Sequence, residues 1–336
     1  NCEETGALAA QMALTGGPRP TEVITPAAIR NAQRVLLAVS GSTNAVIHMA
    51  AVAGRIGMKL DLDDFNLLSD ETPVLVDLKP VGAGYMEDFH YAGGLEGVLR
   101  EIAPQLETDT RSITGETLAD RLARPLADPI DRSVIREAAT PISPVGGLIA
   151  LRGSLAPEGA ILKRAAATEA LLEHEGRAVV FTSLEDLAAR IDDPDLDVTA
   201  EDILVLQNAG PKSASGMPEA GYLPIPKKLA QAGVKDMVRI SDARMSGTAF
   251  GTIVLHVSPE ASVGGPLSLV RNGDRIRLSA REKRIDLLVD VATLAHRRTE
   301  TTGASYRPLR GYVRLYHEHV TSATEGCDFD FLEAME

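Results

Sequence analysis

From residue 146 onward the chain is a succession of short runs rich in Val, Ile and Leu, and several follow one another with no helix-length segment between them. The runs are GGLIALRGSL (146–155), RAVVFTS (177–183), DILVLQNAG (202–210), DMVRIS (236–241), GTIVLHV (251–257), RIRLSA (275–280) and RIDLLVD (284–290). Each is bounded by Gly, Pro, Asn or Asp, which is the pattern of short buried strands. Helical spacing intervenes only at ATEALLEHEG, SLEDLAARI, IPKKLAQAG and DVATLAHRR. A doubly wound sheet would need a crossover helix between most strands. The pattern therefore predicts a mixed β/α domain that is more barrel-like than doubly wound. RNGDRI (271–276) reads as a tight turn into a hairpin.

The first 130 residues read differently. Thr25 followed by Pro26 marks a helix start, with the threonine as cap and the proline in the first turn. Apolar residues at helical spacing fill PAAIRNAQRVLLAVSG (26–41), AVIHMAAVAGRIG (45–57), LDLDDFNLLSD (60–70) and GGLEGVLREIAPQL (93–106). Between them TPVLVDLKP (72–80) predicts a short buried strand. Over residues 105–145 short helical turns alternate with prolines, which places a domain boundary near residue 135. The expected organisation is 1–135 for a helix-rich α/β part, 136–303 for the β/α domain, and 304–336 for a tail that packs back. The chain opens on Asn1 directly inside the helical pattern EETGALAAQMAL, so the natural protein is expected to begin earlier and residues 1–135 to be only part of a domain.

Composition excludes several classes of function. A formal charge of −13 argues against non-specific nucleic-acid binding, which needs clustered Lys and Arg. A small anion needs only local donors or a metal ion, so it stays open. The longest apolar stretches, such as 35–39 and 45–53, are too short to cross a bilayer, and no signal-peptide pattern is present. Cys2 and Cys327 make no disulfide framework and no CxxC pair, which points to a reducing, cytoplasmic compartment. Aromatic residues are 4% of the chain and tryptophan is absent, so the core must be built from Leu, Val, Ile and Ala.

Three segments hold candidate chemistry. QNAGPKSASGMPEAGYLPIP (207–226) follows a predicted strand and can turn several backbone N–H groups toward one anion. It contains Glu219, although a lone Glu in a loop is most often solvated surface. ISDARMSGTAFG (240–251) carries Ser246 and Thr248 beside glycines; a serine there is most often a turn former, and neither a GxSxG elbow nor a His–Asp pair supports hydrolysis. SGSTNAVIH (40–48) sets Ser42, Thr43 and Asn44 at a helix start, where an anion can dock but where such residues also serve as ordinary caps. His48 reads as a packed helix histidine, and Glu87, Asp88 and His90 fit no metal spacing. These residues alone describe a two-domain enzyme without naming its reaction.

Longer motifs in register do more. RISDARMSGTAFGTIVLHVSPEASVGGPLSLVRNGDRIRL closely resembles the signature of the dihydroxy-acid and sugar-acid dehydratases. The likeness extends through GPKSASGMPE, GSLAPEGAILK and SGSTNAVIH, in order, over essentially the entire chain. The resemblance implies a hydro-lyase that uses a [2Fe-2S] cluster and Mg²⁺, converting a 2,3-dihydroxy carboxylic acid to a 2-oxo-3-deoxy acid. In that scheme cluster iron acts as Lewis acid on the departing 3-hydroxyl, Mg²⁺ holds the carboxylate and 2-hydroxyl, and a deprotonated serine takes the C2 proton. Carried over by motif, Ser246 matches the base, Thr248 a substrate-contacting hydroxyl and Glu219 a magnesium ligand. Ser42, Thr43 and Asn44 match site-lining residues.

The family's cluster cysteines and further magnesium ligands belong to a segment that would precede Asn1, so this chain is expected to supply no cluster ligand and to be inactive in isolation. QNAGPKSASGM in place of YEGPKGGPGM, together with the closing GYVRLYHEHVTSATEGCDFDF, looks more like the sugar-acid branch, arabinonate-type enzymes included. An aldonic acid is therefore the favoured substrate. The alternatives are the branched-chain dihydroxy-acid dehydratase and a non-catalytic product that only binds ligand or partner. The same resemblance implies a swivelling β/α domain and a homodimer or tetramer.

Overall fold

The computed structural model describes residues 2–126, 128–218, 223–246, 250–300 and 306–333. Its first part is helical: α1 (Cys2–Thr15), α2 (Pro20–Val23), α3 (Pro26–Ala38), α4 (Asn44–Gly54), α5 (Leu62–Glu71), α6 (Met86–Tyr91), α7 (Gly94–Glu101) and α8 (Leu118–Ala123). Thr25 opens α3, its hydroxyl accepting the Ala28 N–H at 3.2 Å with Pro26 in the first turn. The strand expected at 72–80 is corrected. Val74 and Val76 are buried, but they make only isolated bridges to Ser143 and Ile135, irregular chain that never runs alongside for long enough to build a ladder.

The second part alternates less regularly: β1 (Ile149–Leu151), β2 (Gly159–Leu162), β3 (Glu173–Phe181), α9 (Leu184–Arg190), β4 (Ile203–Leu206), α10 (Lys227–Gln231), β5 (Arg239–Ser241), β6 (Ile253–Ser258), β7 (Arg275–Ser279), β8 (Arg284–Leu287), α11 (Val291–Glu300) and α12 (Gly311–His319). The eight strands form one sheet in the order β1-β2-β6-β5-β4-β3-β7-β8. Pairing is parallel from β3 through β4 and β5 to β6, and antiparallel elsewhere. The sheet curls until its edges meet. Just past β1, the Arg152 N–H donates to Lys283 O, and Arg152 O accepts from the Ile285 N–H, both at 3.0 Å. A side chain at Gly153 could not be accommodated, because its Cβ would lie 2.0 Å from Ile285 O.

The barrel-like expectation therefore holds, with two corrections. β2 lies inside GSLAPEGAILK, where no strand was expected. The helix expected at ATEALLEHEG is only a short 3₁₀ turn, Glu169–Leu171, because Glu173–Arg177 pair antiparallel with β7 instead. That pairing overrides local propensity. The β7–β8 hairpin is present, with its own turn at 280–283, and the Asn272 side chain of RNGDRI accepts the Val180 N–H at 2.7 Å.

Alternation sorts the side chains. Ile149, Leu162, Val180, Val205, Val254 and Ile285 join one core fed by all eight strands, the barrel interior. Their neighbours Val179, Phe181, Leu204, Leu206 and Leu255 pack outward against Leu187, Ile191 and Leu223. Burial on both faces is why these strands read as continuous apolar runs. The helical part covers β1 and β2 through Leu36, Val46, Phe65 and Leu68 against Leu148, Ala150 and Ile161. Polar stitching fixes that contact. Asn66 of α5 donates to Ala150 O at 3.0 Å and accepts the Ala150 N–H at 2.9 Å, and the Ser69 hydroxyl donates to Leu148 O at 2.6 Å.

Parallel pairing sends the loops after β4 and β5 out of the same end of the barrel, and buried acids hold both. Asp242 accepts the Ala209 N–H at 3.0 Å and the Ala261 N–H at 2.9 Å. Glu260 accepts the Lys212 N–H at 3.0 Å on both oxygens. Asp236 receives Thr252 N–H, the Thr252 hydroxyl and Arg239, bracing the chain where it returns to β6. Burial pushes Asp242 up to about 6 and Glu260 up to about 8, the latter further raised by Asp242 and opposed by the Lys212 N–H.

Two outcomes are expected. Asn66→Ala orphans both polar groups of Ala150 in a buried contact and should lower stability by about 1–3 kcal/mol in chemical denaturation. For Glu260, the folded state keeps a proton up to about pH 8 that the unfolded chain releases near 4.5. The unfolded state then binds fewer protons, so stability falls as pH rises through that window. Thermal melts should show this decline, and Glu260→Gln should remove its upper part between pH 6 and 8; an unchanged decline in the variant would assign it to other groups.

Candidate active site

In open and barrel-like sheets, ligands gather at the carboxyl ends of parallel strands, where loops can converge without obstructing the ladder. Here the segments leaving β4 and β5 occupy that end. Gln207 to Met217 is closely folded, with Met217 in the left-handed region at φ +54°. Arg244 ties the two segments together, its Nε donating to Met217 O at 3.0 Å. Two residues further on, Ser246 is exposed. The return to β6 needs Gly251 at φ +112°, since a Cβ there would lie 2.0 Å from Arg239 and 2.3 Å from Asp236.

Ser246 lines a small cleft with Thr43, Lys163, Ala166, Gly251, Ile253 and Leu255. Thr43 comes from the helical part, where it precedes α4 and its hydroxyl takes no part in capping. Ser42 does that work, accepting the Asn44 N–H at 3.2 Å. The structure thus brings Thr43 to Ser246 and leaves Ser42 and Asn44 at the helix start without a wall in the cleft. Glu219 and Thr248 lie outside the described residues. Lys163 sits at the end of GSLAPEGAILK and is buried, its side chain making no hydrogen bond or ion pair among the described residues. Burial alone pushes its pKa down.

A larger cavity of about 480 Å³ opens beside the same two loops. Ile47, His48 and Ala51 of α4, with Arg55 just past its end, form one wall; Met217, Arg244, Tyr316 and Cys327 form the other. His48 is exposed to this space, which corrects the expectation of a packed histidine: one turn beyond Asn44, it falls on the face of α4 that the barrel leaves open. Arg55 is held by Asp328 at 2.6 and 2.9 Å. Burial pushes the Cys327 thiol up to about 12, with Glu260 adding to the shift, and its Sγ lies 3.4 Å from the Met217 sulfur. Cys2 is exposed on α1. Among the described residues no three His, Cys, Asp or Glu side chains converge as a ligand set. A protonated buried thiol and a distant surface thiol do not fit a cluster site.

Lys163 and His256 were missed by residue-level reading. His256 in β6 is buried at φ +60° with neither ring nitrogen hydrogen-bonded among the described residues. Burial holds it neutral, pushing its pKa down to about 3, with Arg244 and His48 adding to the shift. The only signal for either residue was its place inside a long motif, GSLAPEGAILK or GTIVLHVSPE.

Comparison with known proteins accords with this geometry. The profile described as dihydroxy-acid/6-phosphogluconate dehydratase N-terminal matches residues 1–121, and its C-terminal counterpart matches 133–327. An L-arabonate dehydratase of Azospirillum brasilense is 47% identical across 93% of this chain and 55% of its own length. A 6-deoxy-6-sulfo-D-gluconate dehydratase of Pseudomonas putida is 46% identical across 95% of this chain and 55% of its own. A dihydroxy-acid dehydratase of Methanothrix thermoacetophila is 39% identical across 91% and 56%. The chain spans about half the length of the curated relatives it matches. With both profiles matched in order and the signature loops gathered at one end of the barrel, the chain belongs to the dihydroxy-acid/6-phosphogluconate dehydratase family.

Proposed function

We propose that this chain carries the proton-abstracting side of a hydro-lyase site that dehydrates an aldonic acid, of the kind named for its L-arabonate and sulfogluconate relatives. The observation that supports it best is the meeting of Ser246, Thr43 and Lys163 at the carboxyl end of the parallel strands. Ser246 takes the C2 proton of the substrate, the C3 hydroxyl leaves as water, and the enol tautomerises to a 2-oxo-3-deoxy acid. A serine hydroxyl is a weak base and needs positive charge nearby to act in this way. The adjacent cavity, with Arg244 and His48 on its walls, is polar enough and large enough for the hydroxylated chain of a sugar acid.

Glu219 as a magnesium ligand and Thr248 as a substrate contact belong to the same proposal. The [2Fe-2S] cluster and Mg²⁺ implied by the resemblance find no ligand set among the described residues, so no step is drawn through either. Division of the chain near residue 135, swivelling of the β/α part, assembly into a dimer or tetramer and a cytoplasmic setting are further parts of the reading. Exposed Leu14, Tyr85, Met86 and Tyr91 offer apolar surface that assembly could cover. No helix of the described residues is long and apolar enough to cross a membrane.

The test is anaerobic purification of the protein as its gene encodes it, followed by assay on aldonic acids and a branched 2,3-dihydroxy acid with detection of 2-oxo acid. Turnover of an aldonate, lowered by about 10²–10⁴-fold in Ser246→Ala, is expected. Turnover of the branched acid alone would move the protein to the branched-chain function. Ligand binding without any product would make it a non-catalytic member.

A further inference from the structure

We propose that Lys163 is a positioning residue for Ser246, its buried ammonium holding the serine oxygen in the deprotonated form that proton abstraction requires. This deepens the reading of Ser246 as the base and rests on it. The placement follows from the sheet. Leu162 ends β2 paired with Val254 of β6, so the next residue, Lys163, emerges beside the start of β6, where the Ser246 loop returns. Lys163 and Ser246 line one cleft, whose free space of about 20 Å³ holds about one water. The two groups therefore face one small cleft, in which a single water can stand between them.

Charge supplies the second line of argument. Lys163 is 8% exposed, and its side chain makes no hydrogen bond or ion pair among the described residues. Burying a lone ammonium is costly unless a negative group compensates it. The neighbouring charges are committed elsewhere. Arg164 donates to Gly146 O and to Ser69, while Asp236 is taken by Arg239, Thr252 and Thr168. Arg244 lines the other cavity and donates to Met217 O. Among the described residues no carboxylate lines the cleft, and burial is what acts on the Lys163 amine. The groups in the cleft that can turn negative are hydroxyls, and of these Ser246 sits on the exposed loop. Each state compensates the other: an alkoxide at Ser246 relieves the lone cation, and the cation lowers the serine pKa. Thr43 completes the cleft as a neutral donor to the same oxygen.

Two readouts test this on the protein as its gene encodes it. The first is the pH dependence of kcat in Lys163→Met and Lys163→Arg. Loss of the cation should move the acid limb upward by one unit or more and lower kcat at neutral pH tenfold or more with little change in KM, and arginine should restore part of the shift. The second needs no turnover: the rate at which a fluorophosphonate labels Ser246, followed by mass spectrometry of the 240–251 peptide. Lys163→Met should label at least tenfold more slowly. Removing a lone buried charge should not unfold the barrel, and Lys163→Gln serves as a second neutral variant of closer polarity. Equal labelling together with an unmoved acid limb would overturn the proposal, as would a change confined to KM, which would assign Lys163 to substrate binding. Full activity in Ser246→Ala would instead overturn the proton-abstraction reading, and the labelling ratio would still decide whether Lys163 activates this hydroxyl.

Discussion

Parallel pairing of β4 with β5 and of β5 with β6 is the constraint on which the rest of this structure depends. Parallel neighbours cannot be joined by a tight hairpin, so the chain must leave each strand at one end and travel back. The segments that leave β4 and β5 therefore emerge side by side, and one carries the Gly- and Ser-rich run 207–217 while the other carries Ser246. Antiparallel β1, β2, β7 and β8 complete the wall without adding loops at that point. The bridge at Arg152 then brings the two outer strands together and shortens the sheet edge left to compete for pairing.

A loop free enough to admit substrate must still be held in place, and this protein holds its loops from beneath with buried acids. Asp242, Glu260 and Asp236 each accept backbone N–H groups from the loop or its return, and each is itself sequestered from water. Burial raises the cost of ionising Asp242 and Glu260, while the N–H donors reduce it. Asp236 differs: against the upward push of burial, hydrogen bonds from the Thr252 N–H and hydroxyl and from Thr168, with Arg239 adding least, hold its pKa below the usual carboxylate range. The anchors are charged or polar and satisfied. Lys163 is the counter-example, a buried ionisable residue whose side chain has no partner among the described residues. Such a group contributes nothing evident to stability, which is why its meaning is sought in the site.

What was legible in the sequence follows from the same physics. β4 and β6 could be read because two buried faces demand apolar runs, and β7 because Ile276 and Leu278 alternate with exposed arginines. The cap at Thr25 could be read because its hydrogen bond is local. β2 could not, since GAIL is four residues inside a loop-like context. Residues 173–176 were misread because LLEHEG favours helix locally and only the pairing with β7, a hundred residues away, makes it a strand. The candidate site was divided in the same way. Ser246 and Thr43 were accessible through motif and helix-start chemistry, but a lysine is solvent-exposed in most proteins, and nothing at position 163 signals that the fold seals it.

The site is also not a property of the barrel alone. Thr43 reaches the cleft only because α3, α4 and α5 are seated on β1 and β2, and that seating combines an apolar contact around Phe65 with the paired hydrogen bonds of Asn66 and Ser69. Arg164, next to Lys163, reaches back to the same Ser69 and to Gly146. The residue that follows the buried lysine is thus fixed to the helical part, while the lysine itself faces the barrel's loop. A shift of the helices relative to β2 would carry Thr43 and the 163–164 segment together and change the distance from both to Ser246. The polar stitching between α5 and β1 therefore sets the geometry of the cleft as well as the stability of the interface.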